Sequence, residues 1–257
     1  MSTITGPELA RRTRAAVTGI GGRFMIAPEM AEAAEAVGVA SHVLYIRGRV
    51  GPCGALTPGT ATSLLAIMPA GLVHRTFERT TALSAADAAA ACASACSAWG
   101  RKHLAGLPAE HLERLSDLAE KVVDAAELSA LPLIAGWRAL PRPTDAPARA
   151  ALALHLLREH RGAVHLCALR AHGLDVPVAI LAEPSAGEAR LKVFGWREAD
   201  IAEIRARAAV IPDLTDRWAA AERSTDEAFG LALSVLDAAE ADELVRLCDA
   251  VMAAVNG

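Results

Sequence analysis

The chain has 257 residues, 53% of them hydrophobic but only 4% aromatic, so its core must be built from Ala, Leu and Val, a composition that favours helices over strands. A net charge of -4 excludes a protein that coats nucleic acid or anionic membrane through its overall field, though it leaves room for a local basic patch. Five cysteines (Cys53, Cys92, Cys96, Cys167, Cys248), an odd number without paired spacing, read as small buried hydrophobes of a reducing cytosol.

In chain order, residues 7–18 suit a first helix with Arg11, Arg12 and Arg14 on its exposed side. Pro28 fits the first turn of a helix running to Val37 and stopped by Gly38. Residues 41–48 are ambiguous between strand and helix. Thr57 and Pro58 form a cap and first-turn pair for a short apolar helix to Met68, and Pro69 opens another carrying His74, Arg75 and Arg79. Residues 51–73 are uncharged, but Pro52, Pro58, Gly59 and Pro69 interrupt them, so they read as core rather than membrane span. With no signal-type segment at the start, the expectation is a cytoplasmic protein without membrane contact. Ser84 and Asp87 resemble a capping box before an Ala-rich helix to Leu104, and Pro108 starts an antiparallel partner ending near Leu128.

Residues 129–147, crowded with Pro132, Pro141, Pro143 and Pro147, read as a linker between domains 1–140 and 141–257. Beyond it, a helix over 148–158 is predicted to break at Gly162, a second over 163–171 at Gly173, and a third spans 176–182. Residues 184–196 read as a turn and short strand pair, which completes the order of a winged helix-turn-helix. Further helices are predicted over 199–208, 215–229 and 239–254, with Thr215 as a cap. The expected fold is therefore mainly α, two helical halves, winged-helix-like, with a short β-ribbon in the second half. Residues 53–69 and 167–184 share an order of Cys, turn, short apolar helix and Pro, the pattern of a degenerate repeat.

A DNA-reading helix needs Arg, Lys, Asn or Gln on its outer face. The two helices considered for that role, residues 175–183 and 57–68, have none, so nucleic acid is not expected as a partner. Only a wing with Arg190 and Lys192, or the Arg11–Arg14 stretch, would touch phosphate.

The densest reactive cluster is Arg158, Glu159, His160, Arg161 and His165. A guanidinium, titratable imidazoles and a carboxylate in so short a span suit the gripping of an anion and the movement of a proton. The alternative is that Arg161 and His165 satisfy buried carbonyls and a carboxylate within the core. Tyr45, Arg47 and Arg49 form a second basic edge, or else a solvated turn. Glu222, Thr225 and Asp226 recur at helical spacing, placing a carboxylate either as base or as neutraliser of Arg161. Cys92, Cys96 and His103 share a helical stripe without further ligands nearby, so no metal site is expected. No Walker loop, dinucleotide fingerprint, nucleophile elbow or zincin motif is present.

The run LREHRGAVHLCALRAHGLD (157–175), with FGW (194–196), LTD (214–216), ERSTD (222–226), GRVGPCG (48–54) and WRALPRPTD (137–145), resembles an actinobacterial family described only as helix-turn-helix-like. The chain departs from that pattern at Ala163, where an acid is usual, and at LLAIMP (64–69), which replaces an aromatic-rich segment. Some members of the family resemble paired paralogous subunits that eliminate sulfate to close an aziridine ring. The resemblance implies a cofactor-independent lyase, or a lyase subunit, of natural-product metabolism. Its substrate would be a small anion, free or carrier-tethered, and it would assemble as a homo-oligomer or with a paralogous subunit. In that reading His160, His165, Glu222 and Asp226 are catalytic, while Arg49, Arg161, Tyr45 and His74 bind substrate. A winged-helix, ligand-sensing transcriptional regulator and a non-catalytic partner subunit are the alternatives.

Overall fold

A computed structural model describes residues 4–185 and 187–256. Its helices in the first half are α1 (Gly6–Gly19), α2 (Pro28–Ala36), α3 (Ser41–Val50), α4 (Pro58–Leu65), α5 (Ala70–Arg79), α6 (Ala85–His103), α7 (Ala109–Ala125) and α8 (Pro132–Arg138). There follow α9 (Ala146–Ala171), α10 (Val176–Ala182), α11 (Gly187–Val193), α12 (Glu198–Ala209), α13 (Leu214–Leu233) and α14 (Ala238–Asn256). Two compact units emerge. Unit 1 comprises Met1–Ala55, Ala82–Ala163 and Asp226–Gly257; unit 2 comprises Leu56–Thr81 and Val164–Thr225. This interleaved division differs from the sequential halves 1–140 and 141–257.

In unit 1, α6 packs on α2 and α3, while α14 packs on α1 and α7. The expected pairing of α6 with α7 as a hairpin thus gives way to packing on other helices. Ser84 caps α6 by accepting from the Asp87 N–H at 3.0 Å, as its sequence suggested. Segment 41–48 resolves as helix: Val43, Leu44, Tyr45 and Ile46 are all buried, so no alternation marks the chain as strand. At the α3–α6 crossing a Cβ on Gly48 would lie 2.5 Å from the Cys92 Cβ, so glycine and a small residue are both required there. The proline-rich stretch 129–147 is no bare linker. It contains α8, whose Leu133, Ile134 and Trp137 are buried.

Unit 2 is built on two apolar clusters. One joins Val178, Ile180 and Leu191 to Ile201 and Ile204 of α12; the other joins Leu169 and Leu174 to Ala179 and Ala221. The α10 helix packs on both α11 and α12, and α4 packs on α5. Trp196 fastens the α4–α5 turn by donating its indole N–H to the Ile67 carbonyl at 2.9 Å.

Two expectations for the second half fail. First, there is no strand among the described residues, so the β-ribbon is absent. Its segment forms α11, with Leu191 fully buried. Gly195 at φ +90° then closes the helix, and the Trp196 N–H reaches back to the Leu191 carbonyl at 3.1 Å. Alternating charged and apolar residues mimic a strand here, although Leu191 is the one residue of the turn that is fully inserted. Second, Gly162 does not break its helix, for α9 runs unbroken from Ala146 to Ala171. A glycine costs about 1 kcal/mol in a helix interior, less than the burial of Leu152, Leu154, Leu156 and Leu157 on the same helix returns. No single helix among the described residues is long and apolar enough to cross a membrane.

Candidate functional site

Of the residues singled out from the sequence, Tyr45, Arg49, His160, Arg161 and Asp226 fall in unit 1, and His74, His165 and Glu222 in unit 2. The unit 1 group belongs to a buried ionic core. Arg49 binds Glu159 through two parallel contacts, Nε to Oε1 at 3.2 Å and Nη2 to Oε2 at 3.0 Å. Arg158 donates to the same carboxylate. Burial alone would push Glu159 upward, but the charges of Arg49 and Arg158 outweigh it and hold its carboxyl at about 2.

Two histidines line this core. His155 sits edge-on to Phe24 and Trp137, with ring centroids 5.0 and 4.4 Å away, and its Nδ1 lies 2.9 Å from the Gly21 carbonyl. That contact fixes the proton on Nδ1, because a carbonyl only accepts. Burial lowers His155 to about 4. His160, 3% exposed, stands edge-on to Phe229 at 5.4 Å. Burial, with the charge of Arg138, lowers it to about 4 as well. Both imidazoles are therefore neutral near pH 7. Arg161 lies 3.6 Å from Asp226, which also accepts from Arg14. Both arginines expected to grip an external anion thus face carboxylates of the chain itself. The sequence reading underrated Glu159, whose place amid the buried Leu154, Leu156 and Leu157 marked it as an internal counter-ion.

In unit 2, His165 Nδ1 lies 3.0 Å from the Thr225 hydroxyl and 3.4 Å from Glu222. The Thr225 hydroxyl donates to the Ala221 carbonyl at 2.7 Å, so it accepts from His165, whose proton is on Nδ1. About two turns further along α9, His172 Nε2 meets Oγ of Ser224, the neighbour of Thr225 on α13, at 3.0 Å. These contacts tie α9 to α13 within the unit.

His74 lies elsewhere in unit 2, on α5. The α4 helix is capped by Thr57, which accepts from the Thr60 N–H at 3.2 Å, and it ends at Leu65, short of the Met68 expected. Ala66 at φ +50° turns the chain, and α5 begins at Ala70. Val73, Thr76 and Phe77 face inward on α5, while His74, Arg75, Glu78 and Arg79 are exposed. Among the described residues no group of three or more His, Cys, Asp or Glu is placed to hold a metal ion.

A profile described as a helix-turn-helix family matches residues 10–257 of the chain. No curated protein and no solved structure matches it. The family match overturns the expected cofactor-independent lyase acting on a small anionic substrate, free or carrier-tethered, with a paralogous subunit. The narrower likeness to actinobacterial, aziridine-forming subunits finds no support. The expectation that nucleic acid is not a partner is reversed as well, since a helix-turn-helix is a motif that places a helix in a DNA groove.

Proposed function

Since the chain belongs to the helix-turn-helix family, we propose that it is a regulatory protein that binds duplex DNA through unit 2. The family match over nearly the whole chain carries this reading. It is supported by the α4–α5 pair, which has the parts the motif needs: a short capped helix, a turn of residues 66–69, and a second helix with a polar outer face. In this reading the Arg49–Glu159 and Arg161–Asp226 pairs of unit 1 are architecture, holding helices in register around a polar core.

The test is fluorescence anisotropy of a labelled mixed-sequence duplex about three helical turns long, titrated with the purified protein between about 50 and 200 mM salt. The expected result is saturable binding that weakens steeply with salt, as counterions released from phosphate require. Absence of binding at the lowest salt, for this duplex and for a pool of sheared genomic fragments, refutes the reading.

A further inference from the structure

Unit 2 offers two outer faces built from short helices, α5 and the α11–α12 pair, and they differ in how their cations are used. On α11 and α12 every basic side chain already has an acidic partner. Arg190 pairs with Glu183, Lys192 with Glu198 at 3.1 Å, and Arg197 with Asp200 at 2.9 Å. Arg205 pairs with Glu188 and Glu198, and Arg207 with Asp175 at 2.6 Å. Exposed Glu203 adds a further negative charge. A phosphate backbone approaching this face meets carboxylates that must first be displaced. The wing contact expected from Arg190 and Lys192 is thereby lost twice over: there is no wing, and both side chains are neutralised.

On α5 the situation is the opposite. No ion pair or side-chain hydrogen bond among the described residues involves His74, Arg75 or Arg79, and all three are exposed. Arg75 and Arg79 are four residues apart on one helical face, about 6 Å along the axis, which matches roughly two base-pair steps of about 3.4 Å. The inner face is anchored by Val73, Thr76 and Phe77.

From this contrast we infer that α5 is the helix that enters the major groove, with Arg75 and Arg79 reading guanine edges. The inference rests on the DNA-binding reading above. A guanidinium fork meets the O6 and N7 acceptors of guanine in bidentate fashion, and Glu78 between the two arginines is suited to accept from a cytosine amino group. The partner is therefore a B-form duplex whose site contains G·C pairs about two steps apart.

Two readouts test it: anisotropy on the mixed-sequence duplex, and selection of preferred sites from a randomised duplex library. Arg75→Ala and Arg79→Ala are each expected to weaken binding to the selected site roughly ten- to a hundredfold and to relax the preference for a G·C pair at the position each reads. Arg205→Ala and Arg207→Ala are expected to change affinity by less than about threefold, being exposed and already paired. Arg75→Lys keeps the charge but loses the fork, so binding to the mixed duplex persists while the preference for the selected site falls. Far-ultraviolet dichroism matching the wild type establishes that each variant is folded. If the wild type binds DNA and the α5 variants bind like it, the inference falls while the DNA-binding reading stands. Loss of binding confined to the α12 variants has the same meaning. If the wild type binds no duplex, both fall together.

Discussion

Glu159→Gln removes one negative charge from the centre of unit 1 and leaves the shape almost unchanged. Arg49 and Arg158 would then be buried with a neutral amide where a carboxylate had taken up their charge. The carboxyl is held at about 2 against an ordinary 4.5, a difference worth roughly 3 kcal/mol at about 1.4 kcal/mol per unit. Breaking a buried pair by removing one partner costs about 3–5 kcal/mol in other proteins, which brackets the same figure. The assay is urea unfolding at pH 7 followed by tryptophan fluorescence, because Trp137 adjoins the cluster and donates to the Arg49 carbonyl at 2.9 Å. A companion double variant, Arg49→Met with Glu159→Met, removes both charges of the bidentate pair and is expected to be less destabilised than the sum of its single variants. A loss below about 1 kcal/mol for Glu159→Gln, a value typical of exposed pairs, would refute the claim that this carboxylate is the keystone of the core.

Acid should weaken unit 1 in two stages. His155 and His160, held at about 4 against 6.5, bind fewer protons folded than unfolded, so their contribution is full above the unfolded value and is lost as pH falls from about 6.5 to about 4. Glu159 adds a second loss between 4.5 and about 2, again because its folded value lies below the unfolded one. Thermal unfolding of the wild type against His160→Gln across this range checks the first stage, the variant showing the shallower fall. In the α4–α5 turn, Ala66→Gly should stabilise by about 0.5–1 kcal/mol, since φ +50° strains an alanine. A lower melting temperature would show that the turn is not strained as described.

The helical character of the chain was legible from composition, and some helix starts from their caps: Thr57 and Ser84 hold the N–H groups expected of them, whereas Thr215, expected as a cap, lies inside α13. What was not legible follows from packing at a distance. Gly162 looks like a break because propensity is local, whereas its helix is sustained by burial along its length. The 184–196 segment looks like a ribbon because alternation over so few residues also fits one turn of helix with a single inward leucine. The cluster at 158–165 was legible, but its partners were not: which carboxylate faces each arginine depends on how the fold brings distant positions together. Glu159 meets Arg49 across 110 positions of sequence, a pairing no local spacing encodes.

The same logic applies to the helix proposed to face DNA. Residues 57–68 and 175–183 carry no basic side chain. Each of these stretches contributes the first helix of its pair, and that helix is apolar because its task is to brace the second. The informative question concerns the helix that follows. After α10 comes α11, whose Arg190 and Lys192 are consumed by Glu183 and Glu198. After α4 comes α5, whose cations are left to solvent. Sequence shows Arg75 and Arg190 as equals. The difference between them is Glu183, which the turn before α11 brings to Arg190, whereas no carboxylate among the described residues is brought to Arg75.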